Sequence, residues 1–271
     1  MDDPVFLYEK RDHIAYLTFN RPKVRNAISP EVLCRLADAW VDYAADDSLR
    51  VAIITGAGDR AFTAGADLGT MIPLLSGARA PVDEWDHRMA RDSDGLSRVA
   101  MLREYHLEKP VIAAINGVSV GAGTELMQAL DIRIAAEHAT FALTEVARGF
   151  MPGGGSAVRL AKQIPYCKAM ELLLTAAPMT AQEAYRIGLV NEVVPGSEVM
   201  ARAEAWAHII ARNGPLAVRM TKKTVLQTTG RPLEEGYALE KVNAEITMKS
   251  EDAREGPRAF MEKRAPVFHG R

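Results

Sequence analysis

Cysteine is scarce: Cys34 and Cys167 stand far apart in 271 residues and form no Cys-x-x-Cys pair. That argues against a disulfide scaffold or a zinc site and for a reducing compartment. The six histidines never lie four residues apart, so a helical metal pair is absent and a metal-free protein is expected. No apolar run approaches the ~18 residues of a membrane span. The opening MDDPVFLYEK is acidic and lacks an apolar core, unlike a secretory signal. Neither sign of charge prevails, since 33 Lys and Arg against 35 Asp and Glu leave a net charge of −2. This balance argues against a dedicated nucleic-acid binder. Neither GAG (121–123) nor PGGG (152–155) completes a dinucleotide or Walker A fingerprint. The expectation is a soluble cytoplasmic protein.

What is present is an ordinary globular balance, 48% apolar and 25% charged, in a length that suits one large domain or two smaller ones. IAYLTF (14–19), VAIIT (51–55), VIAAI (111–115), DIRIAA (131–136) and TFAL (140–143) read as strands. Ser29 as N-cap and Pro30 at N1 open a helix with apolar residues at 33, 36, 37, 40, 41 and 44. Residues 69–95 read as a long loop or irregular helical segment, followed by a helical pattern that stops at Pro110. Helices are expected at 124–130, near 156–163 and at about 167–175, and Thr180 with Glu183 forms a capping box. Beyond 197 only helices remain, at 197–212, 215–229, 232–249 and 256–264. An α/β core up to residue 195 and a helical region over 196–271 are therefore expected.

Two glycine-containing turns follow buried strands: AFTAGADL after VAIIT, and NGVSVGAGTEL after VIAAI. Such junctions leave backbone N–H groups aimed outward. If both end on one rim, their amides converge on one oxygen as an oxyanion hole; otherwise the small residues only permit tight turns. Glu125 falls one helical turn after Ala122, either as helix-dipole complement or facing the same point as the 122 amide. Glu145 follows TFAL directly, either paired with Arg148 or sharing a dry cleft with Glu125. Two carboxylates so placed have their pKa values pushed apart, supplying an acid and a base. A rival pattern is Gly117-Val118-Ser119-Val120-Gly121, which fits the G-x-S-x-G nucleophile elbow, with Asp131 or Asp252 and His208 or His269 downstream. No HGGG-type segment lies upstream of it.

NRPKVRNAIS (20–29), VAIITGAGDRAFTAGADL (51–68), KPVIAAINGVSVGAGTEL (109–126), DIRIA, FALTEV…PGGG (141–155), AYRIGLVNEVVP (185–195) and AFMEKRAPVFHGR (259–271) occur in this order. Together they resemble the enoyl-CoA hydratase/isomerase, or crotonase, family across the whole chain, which decides against the serine hydrolase. The resemblance implies an α/β fold, a spiral of ββα units followed by a C-terminal helical region that builds trimers, often paired as hexamers. It implies an acyl-CoA thioester substrate whose carbonyl oxygen becomes an enolate, with the N–H groups of Ala66 and Ala122 as oxyanion donors. The family usually has glycine at the second of these positions; alanine keeps the amide if its φ is negative. Glu125 and Glu145 match the hydratase glutamates, the first activating water for attack at C3 and the second exchanging a proton with C2.

No metal is implied, nor any cofactor beyond the coenzyme A carried by the substrate. That coenzyme A would lie along residues 23–27 and 64–68, with Lys23 and Arg25 near its phosphates and Ala27, Ala64, Asp67 and Leu68 in contact. Phe260 and Lys263 match C-terminal positions that reach it, sometimes from a neighbouring subunit. Thr124 stands where many hydratases have cysteine, and the 69–109 segment, with Trp85, His87, Arg88 and Arg91, is longer than in short-chain hydratases and is expected to wall the acyl pocket. The implied reaction is hydration of a trans-2-enoyl-CoA. Δ3–Δ2 isomerisation or dehydration of a specialised acyl-CoA in the same fold, and an RNA- or protein-binding homologue, are the alternatives.

Overall fold

The computed structural model of the protein describes residues 3–271. β1 (Phe6–Arg11) and β2 (Ile14–Phe19) pair antiparallel across a two-residue turn. Asp12 and His13 in that turn both have positive φ, 50° and 65°, the backbone that matches the twist of a tight hairpin. The sequence reading missed β1, because an edge strand with only Phe6 buried carries charges where alternation would show. α1 (Pro30–Ala45) begins where expected, with the Ser29 hydroxyl accepting the Val32 N–H at 3.3 Å. Its inner face buries Leu33, Leu36, Ala37 and Trp40, whereas Val41 turns outward at 51% exposure, a correction to the expected stripe.

From β3 (Val51–Gly56) onward the chain winds in a repeated strand–strand–helix path. β4 (Ala61–Thr63) precedes α2 (Met71–Leu75), α3 (Glu84–Arg91) and α4 (Ser93–Ala100). β5 (Val111–Ile115) and β6 (Val118–Val120) precede α5 (Ala122–Met127). β7 (Ile132–Ala136) and β8 (Thr140–Ala142) precede α6 (Ser156–Gln163) and α7 (Tyr166–Thr175). The first strand of each pair enters a six-stranded sheet ordered β1-β2-β3-β5-β7-β10, the last being Glu192–Val194. The second enters a four-stranded sheet ordered β4-β6-β8-β9, the last being Met179–Thr180, followed by α8 (Ala181–Arg186). β2, β3, β5, β7 and β10 run parallel, as do β4, β6 and β8. All turns that leave β4 and β6 therefore emerge on one rim.

β3 and β5 are buried at every residue, as a parallel sheet covered on both faces requires. α1 is pinned over them by two buried polar links: Trp40 Nε1 donates to the Ala100 carbonyl (3.2 Å) and the Tyr43 hydroxyl to that of Pro110 (2.7 Å). The 69–95 segment is helical in three short pieces, and the helix expected up to 109 ends at Ala100, leaving 101–110 irregular. There Leu102 adopts a positive φ of 49°.

After β10 the chain is helical. α9 (Val199–Ala211) packs on β3, β5 and β7, while α10 (Pro215–Thr228) and α11 (Leu233–Met248) form a hairpin. α12 (Glu251–Met261) starts five residues before the expected 256 because Ser250 caps it, its hydroxyl accepting the Ala253 N–H at 3.0 Å. Pro257 lies inside this helix but is exposed, so the lost backbone bond does not end it. Among the described residues no helix is long and apolar enough to cross a membrane.

Candidate active site

The turns that leave β4 and β6 meet because Asn26 and Gly65 make close approach possible. Buried Asn26, itself at φ 58°, donates to the carbonyls of Ala57 (3.0 Å) and Ala61 (2.8 Å) and accepts the Arg21 N–H (3.0 Å). The Thr63 hydroxyl donates to the Asn26 carbonyl (2.7 Å) and accepts the Gly65 N–H (3.1 Å). These bonds hold residues 21–28 along the turn after β4, and Ile28 and Ala66 form an isolated bridge. Gly65 has φ +81°, and a Cβ there would stand 2.5 Å from the Val120 carbonyl oxygen and 3.1 Å from the Ala122 nitrogen. The Ala66 turn is thus pressed against the start of α5.

In the bridge, the Ile28 N–H donates to Gly65 and the Asp67 N–H to Ile28. Among the described residues the N–H of Ala66 has no acceptor, and neither has that of Ala122 at the first position of α5. Ala122 has no positive φ, so the alanine holds its amide in ordinary helical geometry. Both residues line one cavity of about 330 Å³, together with Glu125 and Glu145.

The two carboxylates reach the cavity from different elements. Glu125, 3% exposed, comes from the first turn of α5, and its Oε1 accepts the N–H groups of Gly154 (2.8 Å) and Ser156 (3.2 Å) at the start of α6. Burial pushes its carboxyl up, against the pull of these amides. Glu145, 7% exposed, follows β8; a Cβ on Gly121 would lie 2.9 Å from its Oε1. Its Oε2 is buried without a hydrogen-bond partner among the described residues. Burial first, then the nearby Glu125 charge, raises the Glu145 carboxyl to about 7 despite Arg148.

The rest of the wall is mainly apolar, with Met71, Ile72, Leu75, Met89 and Met101 from the 69–109 segment facing Phe150 and Met151. Ala64 and Leu68 also line it. Lys23, Arg25 and Ala27 do not, but the Arg25 carbonyl accepts the Ala64 N–H (2.9 Å), placing their segment beside the Ala66 rim. Asp67 holds the turn: its carboxylate accepts from Arg21 (2.8 Å), Gly69 N–H (2.9 Å) and Thr70 N–H (3.2 Å). Phe260, 81% exposed, and Lys263 lie at the end of α12 and are not brought to this cavity within one chain.

Ser119 is fully buried outside the cavity wall, with Thr124 Oγ1 (3.4 Å) and the Met127 sulfur (4.0 Å) beside its hydroxyl. No nucleophile elbow is formed: Asp131 binds the Val111 N–H and Lys222, while Asp252 caps the N–H groups of His269 and Gly270. Among the described residues no three His, Cys, Asp or Glu side chains gather as a metal site. Sequence reasoning missed the Gly154 and Ser156 amides that hold Glu125, although PGGG before a helix was the visible signal.

A ββα spiral whose turns present two open amides beside two acidic side chains is the crotonase architecture. A family model described as enoyl-CoA hydratase/isomerase matches residues 9–271, and the chain belongs to that family. It is 41% identical to the enoyl-CoA hydratase EchA19 of Mycobacterium tuberculosis, over 99% of this chain and 97% of that protein. It is 37% identical to the (E)-benzylidenesuccinyl-CoA hydratase of Thauera aromatica, over 98% of this chain and 99% of that one. The carnitinyl-CoA dehydratase of Salmonella typhi is 40% identical, over 95% of each chain. Among solved structures, the enoyl-CoA hydratase of Bacillus anthracis superposes with a TM-score of 0.88 at 37% identity, covering 99% of this chain and 100% of that one.

Proposed function

We propose that the protein is a hydro-lyase that adds water reversibly across the 2,3 double bond of a trans-2-enoyl-CoA. The observation that carries this reading is the sharing of one cavity by the free amides of Ala66 and Ala122 and the carboxyls of Glu125 and Glu145. In this reading the thioester oxygen lies between the two amides. Negative charge grows there as the enolate forms, and one such donor is typically worth ~2.7–4 kcal/mol of transition-state stabilisation.

The carboxyls divide the proton work by environment. Glu125, fixed by two backbone N–H groups, is the partner suited to stay ionised and accept a proton from water as its oxygen bonds to C3. Glu145, with an unpartnered oxygen and a carboxyl raised to about 7, keeps a proton to deliver to C2. Exchange with solvent then resets both. Only CoA enters the site, as part of the substrate; along residues 23–27 and 64–68, Lys23 and Arg25 take its phosphates and Ala27, Ala64 and Leu68 contact it. Asp67 shapes this binding turn through Arg21.

The core over residues 1–195 carries this site in our reading, and the region 196–271 assembles a cytoplasmic homotrimer or a pair of trimers. Phe260 and Lys263, which do not line the cavity of their own chain, would then reach the site of a neighbour. Loss of the enoyl absorbance of crotonyl-CoA and of longer enoyl-CoA esters, with ¹⁸O from labelled water in the product, tests the assignment; no consumption of any ester overturns it. The carnitinyl-CoA dehydratase and benzylidenesuccinyl-CoA hydratase relatives support a second reading, a specialised acyl-CoA substrate handled by the same chemistry. An isomerase would instead convert a 3-enoyl-CoA without incorporating ¹⁸O.

A further inference from the structure

Two arginines line the cavity alongside its apolar wall, Arg103 from the irregular stretch after α4 and Arg148 from the turn after Glu145. Three other arginines of the 69–109 segment are paired: Arg98 with Asp94 (2.7 Å) and Glu104 (3.2 Å), Arg88 with Asp38, and Arg79 with Asp86. Among the described residues neither Arg103 nor Arg148 has a carboxylate within 4.0 Å; Arg148 donates only to the Thr144 carbonyl (2.9 Å). The half-buried Arg159 feels the charge of Glu125 and, less strongly, that of Arg103. Arg159 is itself committed to the carbonyls of Met101, Leu102 and Gly154.

The positions of both guanidiniums matter. Both are exposed where they line the wall: Arg103 also borders a neighbouring cavity, and Arg148 sits three residues beyond Glu145. Lys23 and Arg25 are outside the lining. With the reacting carbons between the two glutamates, the acyl chain that continues past them shares the cavity with Arg103 and Arg148. A plain hydrocarbon would cover guanidinium groups and strip their water without return. A carboxylate would meet a planar fork of N–H donors that matches it.

Resting on the hydratase reading, we propose that the preferred acyl-CoA carries a second carboxylate on its acyl group, recognised by Arg103 together with Arg148. The test compares 2-hexenedioyl-CoA with 2-hexenoyl-CoA by kcat/KM, and the saturated adipoyl-CoA with hexanoyl-CoA by calorimetric Kd. The charged member of each pair is expected to win by about tenfold to a hundredfold, the range of a charge-assisted hydrogen bond. Arg103→Gln brings both ratios near one, Arg103→Lys restores part of them, and Arg148→Gln lowers them. Free CoA is the control: an equal loss of CoA affinity in Arg103→Gln assigns the guanidinium to a phosphate and overturns the proposal. So do equal affinities for adipoyl-CoA and hexanoyl-CoA in the parent. Adipoyl-CoA preference without turnover of either enoyl ester would support the carboxylate site while refuting hydration.

Discussion

Glu125 and Glu145 line the same cavity with opposite hydrogen-bonding situations: Oε1 of Glu125 accepts two backbone N–H groups, and Oε2 of Glu145 has no partner among the described residues. Burial pushes both carboxyls up, and the Glu125 charge helps to carry Glu145 to about 7, so Glu145 is the one that holds its proton longer. The backbone amides favour leaving that charge on Glu125. An acid and a base thus arise from two residues of one type through their surroundings.

Glu145→Gln is expected to lose ~10²–10⁴-fold in hydration rate, the usual worth of a positioned proton donor. In the parent, the rate should decline as pH rises above about 7, where Glu145 gives up its proton. A pH–rate profile of kcat for crotonyl-CoA checks both; an alkaline limb that persists in the glutamine variant would remove Glu145 from the step.

The same carboxyl opposes stability. Folded Glu145 keeps its proton up to about pH 7, whereas its ordinary value is 4.5. Between those values the folded form holds a proton that the unfolded chain has released, so stability falls as pH rises through this window. Glu145→Gln lacks that dependence. Its advantage over the parent in denaturant unfolding should grow from pH 5 to pH 8 by about 1–2 kcal/mol, after allowing for solvent screening at the cavity mouth.

Glu125→Gln keeps the shape but not the charge, and one amide hydrogen must then face the Gly154 or Ser156 N–H unless the side chain flips its oxygen inward. Hydration should drop ~10²–10⁴-fold, while binding of a saturated acyl-CoA persists within severalfold. Calorimetry beside a turnover assay separates the two effects. Equal loss of binding and turnover would indicate that the loop at 154–156 has moved.

Gly65→Ala tests the amide pair without touching an acidic group. The added Cβ meets the Val120 carbonyl at 2.5 Å, and the backbone already sits at φ +81°, so the turn must shift at a cost of about 1–3 kcal/mol. Displacing the Ala66 amide should lower kcat more than it raises KM, because oxyanion donors act mainly in the transition state. Unfolding and kinetic measurements on the same preparation distinguish this from simple loss of folded protein.

Features set by neighbouring residues were legible in the sequence: the Ser29 and Thr180 caps, the buried runs of β3 and β5, and the helical character after β10. Elements whose identity depends on distant partners were not. β4 and β6 are three residues each, too short for periodicity, and exist because they pair with one another and, for β6, with β8. The helix start expected at 256 ignored the buried Asp252 and Glu255, which accept the N–H groups of Val267, His269 and Gly270 and fold the tail back onto α12. At the site, the glutamates and both turns could be singled out by position. The amides that fix Glu125 lie 29 and 31 residues away in sequence, and Asn26, which locks the first turn, looks like an ordinary loop residue until its three bonds are seen.

α11 supplies the last prediction. Of its sixteen residues only Asn243 is buried, held by Thr224 and Gln227 of α10, while Leu233, Tyr237, Val242, Ile246 and Met248 are exposed. A helix hairpin with so much uncovered apolar surface loses free energy in water at roughly 25 cal/mol per Å², and exposed apolar patches of this kind mark association surfaces. Closed symmetry would let identical copies cover one another's hairpins, the assembly in which Phe260 and Lys263 are proposed to serve a neighbouring site. Val242→Asp with Ile246→Asp should convert the assembly to monomers in sedimentation velocity. It should also raise KM for acyl-CoA more than it lowers kcat, since Glu125, Glu145 and the two amides belong to one chain. A parent that sediments as a monomer would separate α11 from assembly and leave Phe260 and Lys263 without a role at the site.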